Sequence, residues 1–284
     1  MTGFAAHVSP YQAFHSVLDD CTCRLAQALT LVQKGNCDRH GVHQARVALR
    51  RLRAARKAFS PMADESGWKP LDRAAKKIAA RLGQVRDLDV LGDTLMPQLE
   101  KEAARHFAAA CDNARKRRCR TLLRDLATPP YAGFLPSLSA ALRLPLPDQP
   151  PPTTLHAFAD RSLQQRRRRV LKLARKKATL AQQHALRKRI KELRYASEFF
   201  SALYPPRKVS AYLGRLQAAQ DALGTLIDCS TGVQQLVRLA HESPELERWM
   251  PNLLKHLGRV RAAAKTRLAP ALKALGEAPP FWKA

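Results

Sequence analysis

The 284-residue sequence is short of acid. It holds 23 Asp and Glu against 50 Lys and Arg, a net charge of +27 at pH 7. A compact fold with that excess repels itself unless a polyanion compensates it, so the expected partners are a nucleic acid, an anionic membrane or another phosphate polymer. Aromatic residues are scarce at 6%, which argues against base stacking as the main mode of recognition. Glycine is low and β-branched residues are sparse, while Ala and Leu dominate, which excludes a sheet protein and points to an all-α one. No Walker A loop, dinucleotide glycine fingerprint, kinase, hydrolase or zinc motif occurs. None of the six cysteines forms a C-x-x-C pair, so neither a zinc site nor a thioredoxin-like site is expected, and the thiols read as reduced ones of a cytoplasmic protein. The opening "MTGFAAHVSP" has no basic and apolar leader pattern, so no secretory signal is expected. No apolar run reaches the roughly 18 residues of a membrane span.

What the sequence does contain is organised by proline. "TPPYAGFLP" (128–136), "LPLPDQPPP" (144–152) and "YPPRK" (204–208) break helical regions, the second as a stiff extended linker. Between them the apolar residues recur at helical spacing, as at Leu18, Leu25, Leu29 and Val32. One register repeats. His43, Arg46, Arg50, Arg53 and Phe59 are followed, 141 residues later in every case, by His184, Arg187, Lys191, Arg194 and Phe200. The same offset pairs Leu82, Gly83 and Asp87 with Leu223, Gly224 and Asp228. A duplicated helical unit is therefore expected, with a first repeat over about 10–143, a linker over about 144–152 and a second repeat over about 153–280.

"HQARVALRRLRAARKAF" (43–59) contains six Lys and Arg residues, one histidine and no acid. On a helical wheel His43, Arg46, Arg50, Arg53 and Lys57 share one narrow arc, and Leu49, Leu52 and Phe59 lie opposite. The second copy places His184, Arg187, Lys191 and Arg194 in that arc, flanked by Lys188 and Tyr195. Such rows repel themselves at i, i+3 and i+4, and a solvated face would mix signs. A linear polyanion would supply the missing counter-charge. The two histidines read as donors to phosphate or to a facing helix. Asp87 and Asp89 read as salt-bridging or capping acids, because side chains at i and i+2 do not face each other. Gly83 and Gly224 read as positions of close helix packing. A second set of candidates comprises Arg73, Lys77 and Arg81 on the following helix, Arg161, Arg168 and Lys172 in the basic run 161–177, and Tyr195. The run "RKRRCR" (115–120) lies outside the matched register of the two copies and is expected to contribute less.

"HQARVALRRLRAARKAF" with "RLGQVRDLDVL", and "HALRKRIKELRYASEFF" with "ALGTLID", resemble the CHAD domain, the conserved histidine α-helical domain. The resemblance runs from about Tyr11 to about Leu275. It implies two four-helix bundles related by a pseudo-two-fold, with basic faces turned to a central groove. It also implies inorganic polyphosphate as ligand without turnover, no metal or other cofactor, and association with polyphosphate or polyhydroxyalkanoate granules. His43, Arg46, Arg50, Arg53, His184, Arg187, Lys191 and Arg194 match the family's basic signature. Glu198 in place of Lys57, and Ile227 in place of Arg86, are departures that imply an asymmetric groove, more cationic on the first copy's side. A nucleic-acid-binding protein, a phosphate-transferring enzyme and an apolar granule-coat protein stand as alternatives. The second lacks a visible metal-binding or nucleophilic constellation.

Overall fold

The structure, a computed structural model, describes residues 8–62, 65–143, 153–174 and 179–283, and the proline-rich linker lies outside them. Every regular element among the described residues is helical. The first half contains α1 (Pro10–Lys34), α2 (Arg39–Ala58), α3 (Glu65–Leu95) and α4 (Lys101–Leu126), followed by the short α5 (Pro129–Ala132) and α6 (Phe134–Leu142). The second contains α7 (Leu155–Ala174), α8 (Leu180–Phe199), α9 (Pro206–Glu242) and α10 (Met250–Glu277).

Local sequence sets the boundaries. Ser9 starts α1 through a reciprocal capping box with Gln12, ahead of Pro10 at the first helical position. Asp38 caps α2 by accepting from the Gly41 amide at 2.6 Å, and its repeat equivalent Thr179 caps α8 through a box with Gln182. The repeat recurs in three dimensions. Both ends of α8 fall 141 residues after those of α2, as do the short 3-10 turn 201–203 after 60–62 and the start of α9 after that of α3. The correspondence lapses at α4 and α10, which differ in start and length.

The two four-helix sets share a core. α2 packs on α8, and α3 on α9, about a pseudo-two-fold. One apolar cluster draws on α1–α3 and α7–α9 together, and a second joins α3 and α4 to α9 and α10. The equivalent phenylalanines Phe59 and Phe200 meet with ring centroids 5.1 Å apart, and Phe158 and Phe14 stack on Phe59 at 5.5 and 5.4 Å. Both Phe59 and Phe200 are fully buried, and each such ring contributes about 1.5–3 kcal/mol.

Charge completes the contact between copies. Arg51 Nη1 lies 2.5 Å from Glu198, and Lys57 Nζ lies 2.6 Å from Glu192. Position 51 corresponds to 192 and position 57 to 198, so the first copy presents two cations and the second two anions at the same sites. Glu198→Lys should lower stability by about 2–3 kcal/mol, because it strands Arg51 and Arg194 beside a like charge in a partly buried site. The swap Arg51→Glu with Glu198→Lys should recover at least half of the loss in urea denaturation. No recovery would show that the pair does not join the copies.

Candidate polyanion-binding groove

The cationic faces of α2 and α8 meet over α3 and α9. Room for Arg46 comes from Gly83. A Cβ on Gly83 would sit 2.6 Å from Arg46 Nη1, and one on Gly224 would sit 3.6 Å from Arg187 Nη2. Gly83 therefore admits the Arg46 side chain against the helix below, an approach by guanidinium rather than by helix backbone, whereas Gly224 leaves ordinary contact distance to Arg187. Arg50 and Lys191, one turn further along, complete a group of four cations at two equivalent pairs of positions.

Two equivalent acids lie beneath them. Arg187 Nη2 is 3.4 Å from Asp228 Oδ1, and Asp87 lies within the field of Arg46, Arg118 and Arg187. Burial raises the Asp87 carboxyl above its ordinary range despite Arg46, and Asp228 adds to the rise. These acids leave the group with surplus charge. Burial, and then Arg187 and Arg50, push the Lys191 ammonium down to about 7. Burial, then Arg86, Arg50 and Arg46, lower His43. The Nε–H groups of Arg50 and Arg187 are buried and have no hydrogen-bond partner among the described residues. Desolvated and unpaired donors of this kind suit a multiply charged oxyanion.

Two cations that the helical wheel does not single out border the group. Arg86 reaches Asp89 and Asp93 at 3.6 and 3.8 Å, and stands close enough to His43 to depress it. Arg118 of α4 donates to the Gln84 carbonyl and to Gln235 Oε1, both at 2.8 Å, and so bridges α3 and α9. Arg86 carried a signal, since it directly precedes Asp87 in "RLGQVRDLDVL". Arg118 carried none, because its run lies outside the matched register of the two copies.

The other candidates are placed elsewhere or already engaged. Arg53 lies with Arg56, Trp68 and Asp72 between α2 and α3. Its equivalent Arg194 is held by Glu198 at 3.0 Å and by Gln217. Lys57 is engaged by Glu192. Glu198 thus marks the join between copies, not an asymmetry in the groove. His184 is half-buried in the first turn of α8, while His43 and Lys188 are exposed. Tyr195 is only 6% exposed and lies under the guanidiniums of Arg51 and Arg194. Arg73 and Lys77 are exposed on α3, and Arg81 pairs with Asp125 at 2.5 Å. Arg161 and Arg168 line a separate cavity of about 880 Å³ beside Trp282, and Lys172 is exposed on α7. Asp89 is fully buried and serves Arg115 at 2.8 Å and Arg39 at 3.4 Å, a salt-bridging role. Among the described residues no three His, Cys, Asp or Glu side chains cluster as a metal-ligand set, and no helix is long and apolar enough to cross a membrane.

Paired helical bundles with a cationic groove between repeats define the class of protein, and its sequence places it further. The family model described as the CHAD domain matches residues 16–237, and the chain belongs to that family. Its fold is similar to the crystal structure of the CHAD domain from the plant Ricinus communis, with TM-score 0.81 and 24% identity over 99% of this chain and 96% of that one. It is also similar to PptA from Streptomyces chartreusis, with TM-score 0.68 and 16% identity over 95% of this chain and 99% of that one. No curated protein matches it in sequence.

Gly83→Ala should displace Arg46 and leave the helix intact, since alanine is the better helix former by about 1 kcal/mol. Gly224→Ala meets Arg187 only at ordinary contact distance. Gly83→Ala should therefore elute from phosphocellulose at lower salt than wild type, and Gly224→Ala with wild type. Coincident elution of all three would refute the account of the glycines.

Proposed function

We propose that the protein binds inorganic polyphosphate in the groove between α2 and α8 and does not turn it over. The observation that carries this reading is the convergence of Arg46, Arg50, Arg187 and Lys191 from both repeats, with fewer acids than cations and with buried N–H groups left unpartnered. A chain of phosphates offers one charge or more per unit along a thin flexible thread, which can be contacted from both repeats at once. Duplex DNA is a wide rigid rod and would touch only the rim. The family resemblance implies the same ligand. Localisation to polyphosphate-rich granules follows from such binding, and association with polyhydroxyalkanoate granules is part of the same proposal.

Titration of long-chain polyphosphate against duplex and single-stranded nucleic acid, at matched phosphate and physiological salt, tests the reading. Polyphosphate should bind more tightly and be recovered at its original length, with no orthophosphate released. Arg50→Glu with Lys191→Glu should cost roughly 3–6 kcal/mol, at least a hundredfold in affinity, from two reversed charge-assisted contacts. Displacement of polyphosphate by duplex DNA at equal phosphate would instead make the protein a nucleic-acid binder. Metal-dependent release of orthophosphate, lost in the same double variant, would make it an enzyme.

The state of Lys191 sets a pH dependence. Its ammonium titrates at about 7 in the free protein, and a bound polyanion raises that value. Below pH 7 the group is charged in both states and contributes its full attraction. Above pH 7 binding must take up a proton, so affinity should fall by up to tenfold per pH unit until the bound-state value is passed. Calorimetry in buffers of different ionisation enthalpy should register that uptake at pH 8. Lys191→Arg should bind and show a flatter profile. An unchanged profile in the variant would refute the assignment to Lys191.

A further inference from the structure

The cysteines take no part in the groove, yet two of them meet. Cys37 lies in the turn between α1 and α2, and Cys119 lies two turns before the end of α4. Both are buried. Cys37 Sγ donates to the Cys119 carbonyl oxygen at 3.8 Å, so the two cysteines pack against each other. Asn36 and Cys37 adopt left-handed backbone angles, with φ of 45° and 63°. Non-glycine residues rarely take that conformation, and here it carries the Cys37 side chain into the core against α4. Arg115 braces the pair. Its Nη1 is 3.7 Å from Cys119 Sγ, its Nη2 donates to the Cys37 carbonyl at 2.6 Å, and its Nε donates to the buried Asp89 at 2.8 Å.

The two sulfurs are not equivalent. A cavity of about 410 Å³ is lined by Asn36, Arg115, Lys116, Cys119 and Arg120. It reaches Cys119 and places three cations around it, while Cys37 lies behind. The interaction of the two thiols lowers Cys119 below its ordinary value and, with burial, raises Cys37. A thiolate at the cavity wall beside a guanidinium is the reactive form of cysteine. Cys111 differs, since burial pushes its thiol up to about 12.

We propose that Cys119 and Cys37 are a dithiol oxidised by hydroperoxides that enter this cavity. The Cys119 thiolate attacks the peroxide, so that an S–O bond forms as the O–O bond breaks. The departing oxygen takes a proton and leaves as water or an alcohol. The Cys37 sulfur then attacks the Cys119 sulfenic sulfur. An S–S bond forms, the S–O bond breaks, and the hydroxyl leaves as water with the Cys37 thiol proton. Two thiols and one hydroperoxide thus give one disulfide, one water and one further water or alcohol. The new bond ties the turn ahead of α2, which carries Arg46 and Arg50, to the α4 residue beside Arg118.

The test uses the full chain carrying Cys23→Ser, because Cys23 is exposed and would cross-link molecules. The folded protein is treated with equimolar hydrogen peroxide, and its non-reduced peptides are mapped by mass spectrometry. The expected product is one intramolecular link between Cys37 and Cys119, with Cys111 still reduced. Adding Cys37→Ser should leave a dimedone-trappable sulfenic acid at Cys119. Adding Cys119→Ser should leave Cys37 unreacted. The proposal is overturned if the folded parent keeps both thiols, if the link forms only in denaturant, or if Cys37 is oxidised without Cys119. The mapping of the parent decides the matter even if a serine variant fails to fold, and it reads no polyphosphate binding, so it stands apart from the proposed function.

Discussion

Packing α2 against α8 sets cation against cation, and the rest of the molecule is arranged around that repulsion. Further along the same contact the charges are opposite, Arg51 against Glu198 and Lys57 against Glu192. The buried rings of Phe59, Phe158 and Phe200 close the join on the apolar side. Attraction and burial at one part of the interface hold the helices where the other part repels. Burial, with the repulsion of Arg187 and Arg50 added to it, brings the Lys191 ammonium down to about 7. An oxyanion between the helices would remove that cost.

Small residues and acids shape the groove as much as its cations do. Without a side chain at Gly83, Arg46 lies flat against α3, shielded from water and held in one orientation. Asp87 and Asp228 occupy equivalent positions and act as internal counter-ions, too few to neutralise the group. Asp89 has no acidic equivalent, since position 230 is serine. It serves a different purpose, gathering Arg39, Arg86 and Arg115 at the junction of α2, α3 and α4. That junction also fixes the Cys37–Cys119 pair through Arg115. Some equivalent positions in the contact between the repeats have diverged. Ala54 corresponds to Tyr195, and the cations at 51 and 57 correspond to acids.

Much of this was legible in one dimension. Helical periodicity, capping residues and the scarcity of β-branched residues fix the helices, because those signals act between near neighbours in the chain. The offset of 141 residues revealed the repeat, and with it the equivalence of Arg46 with Arg187 and of Arg50 with Lys191. The row of cations on one helical face is a property of residue spacing alone. The wheel treats Arg53, Lys57 and Arg194 as it treats Arg46, although Lys57 and Arg194 have acidic partners in the fold.

Tertiary structure decided which cations stay unpaired. Lys57 and Arg81 are engaged by Glu192 and Asp125, acids distant in the chain that no periodicity assigns to them. Arg118 joins the border of the groove only because α4 packs across α3 and α9, outside the matched register of the two copies. Tyr195 leaves the surface because α8 has a neighbour on the side that the wheel left open. Sequence determines which side chains share a face of a helix, since that depends on 3.6 residues per turn. Which of those faces meet, and which charges find partners there, depends on how the helices pack, and that is settled only in three dimensions.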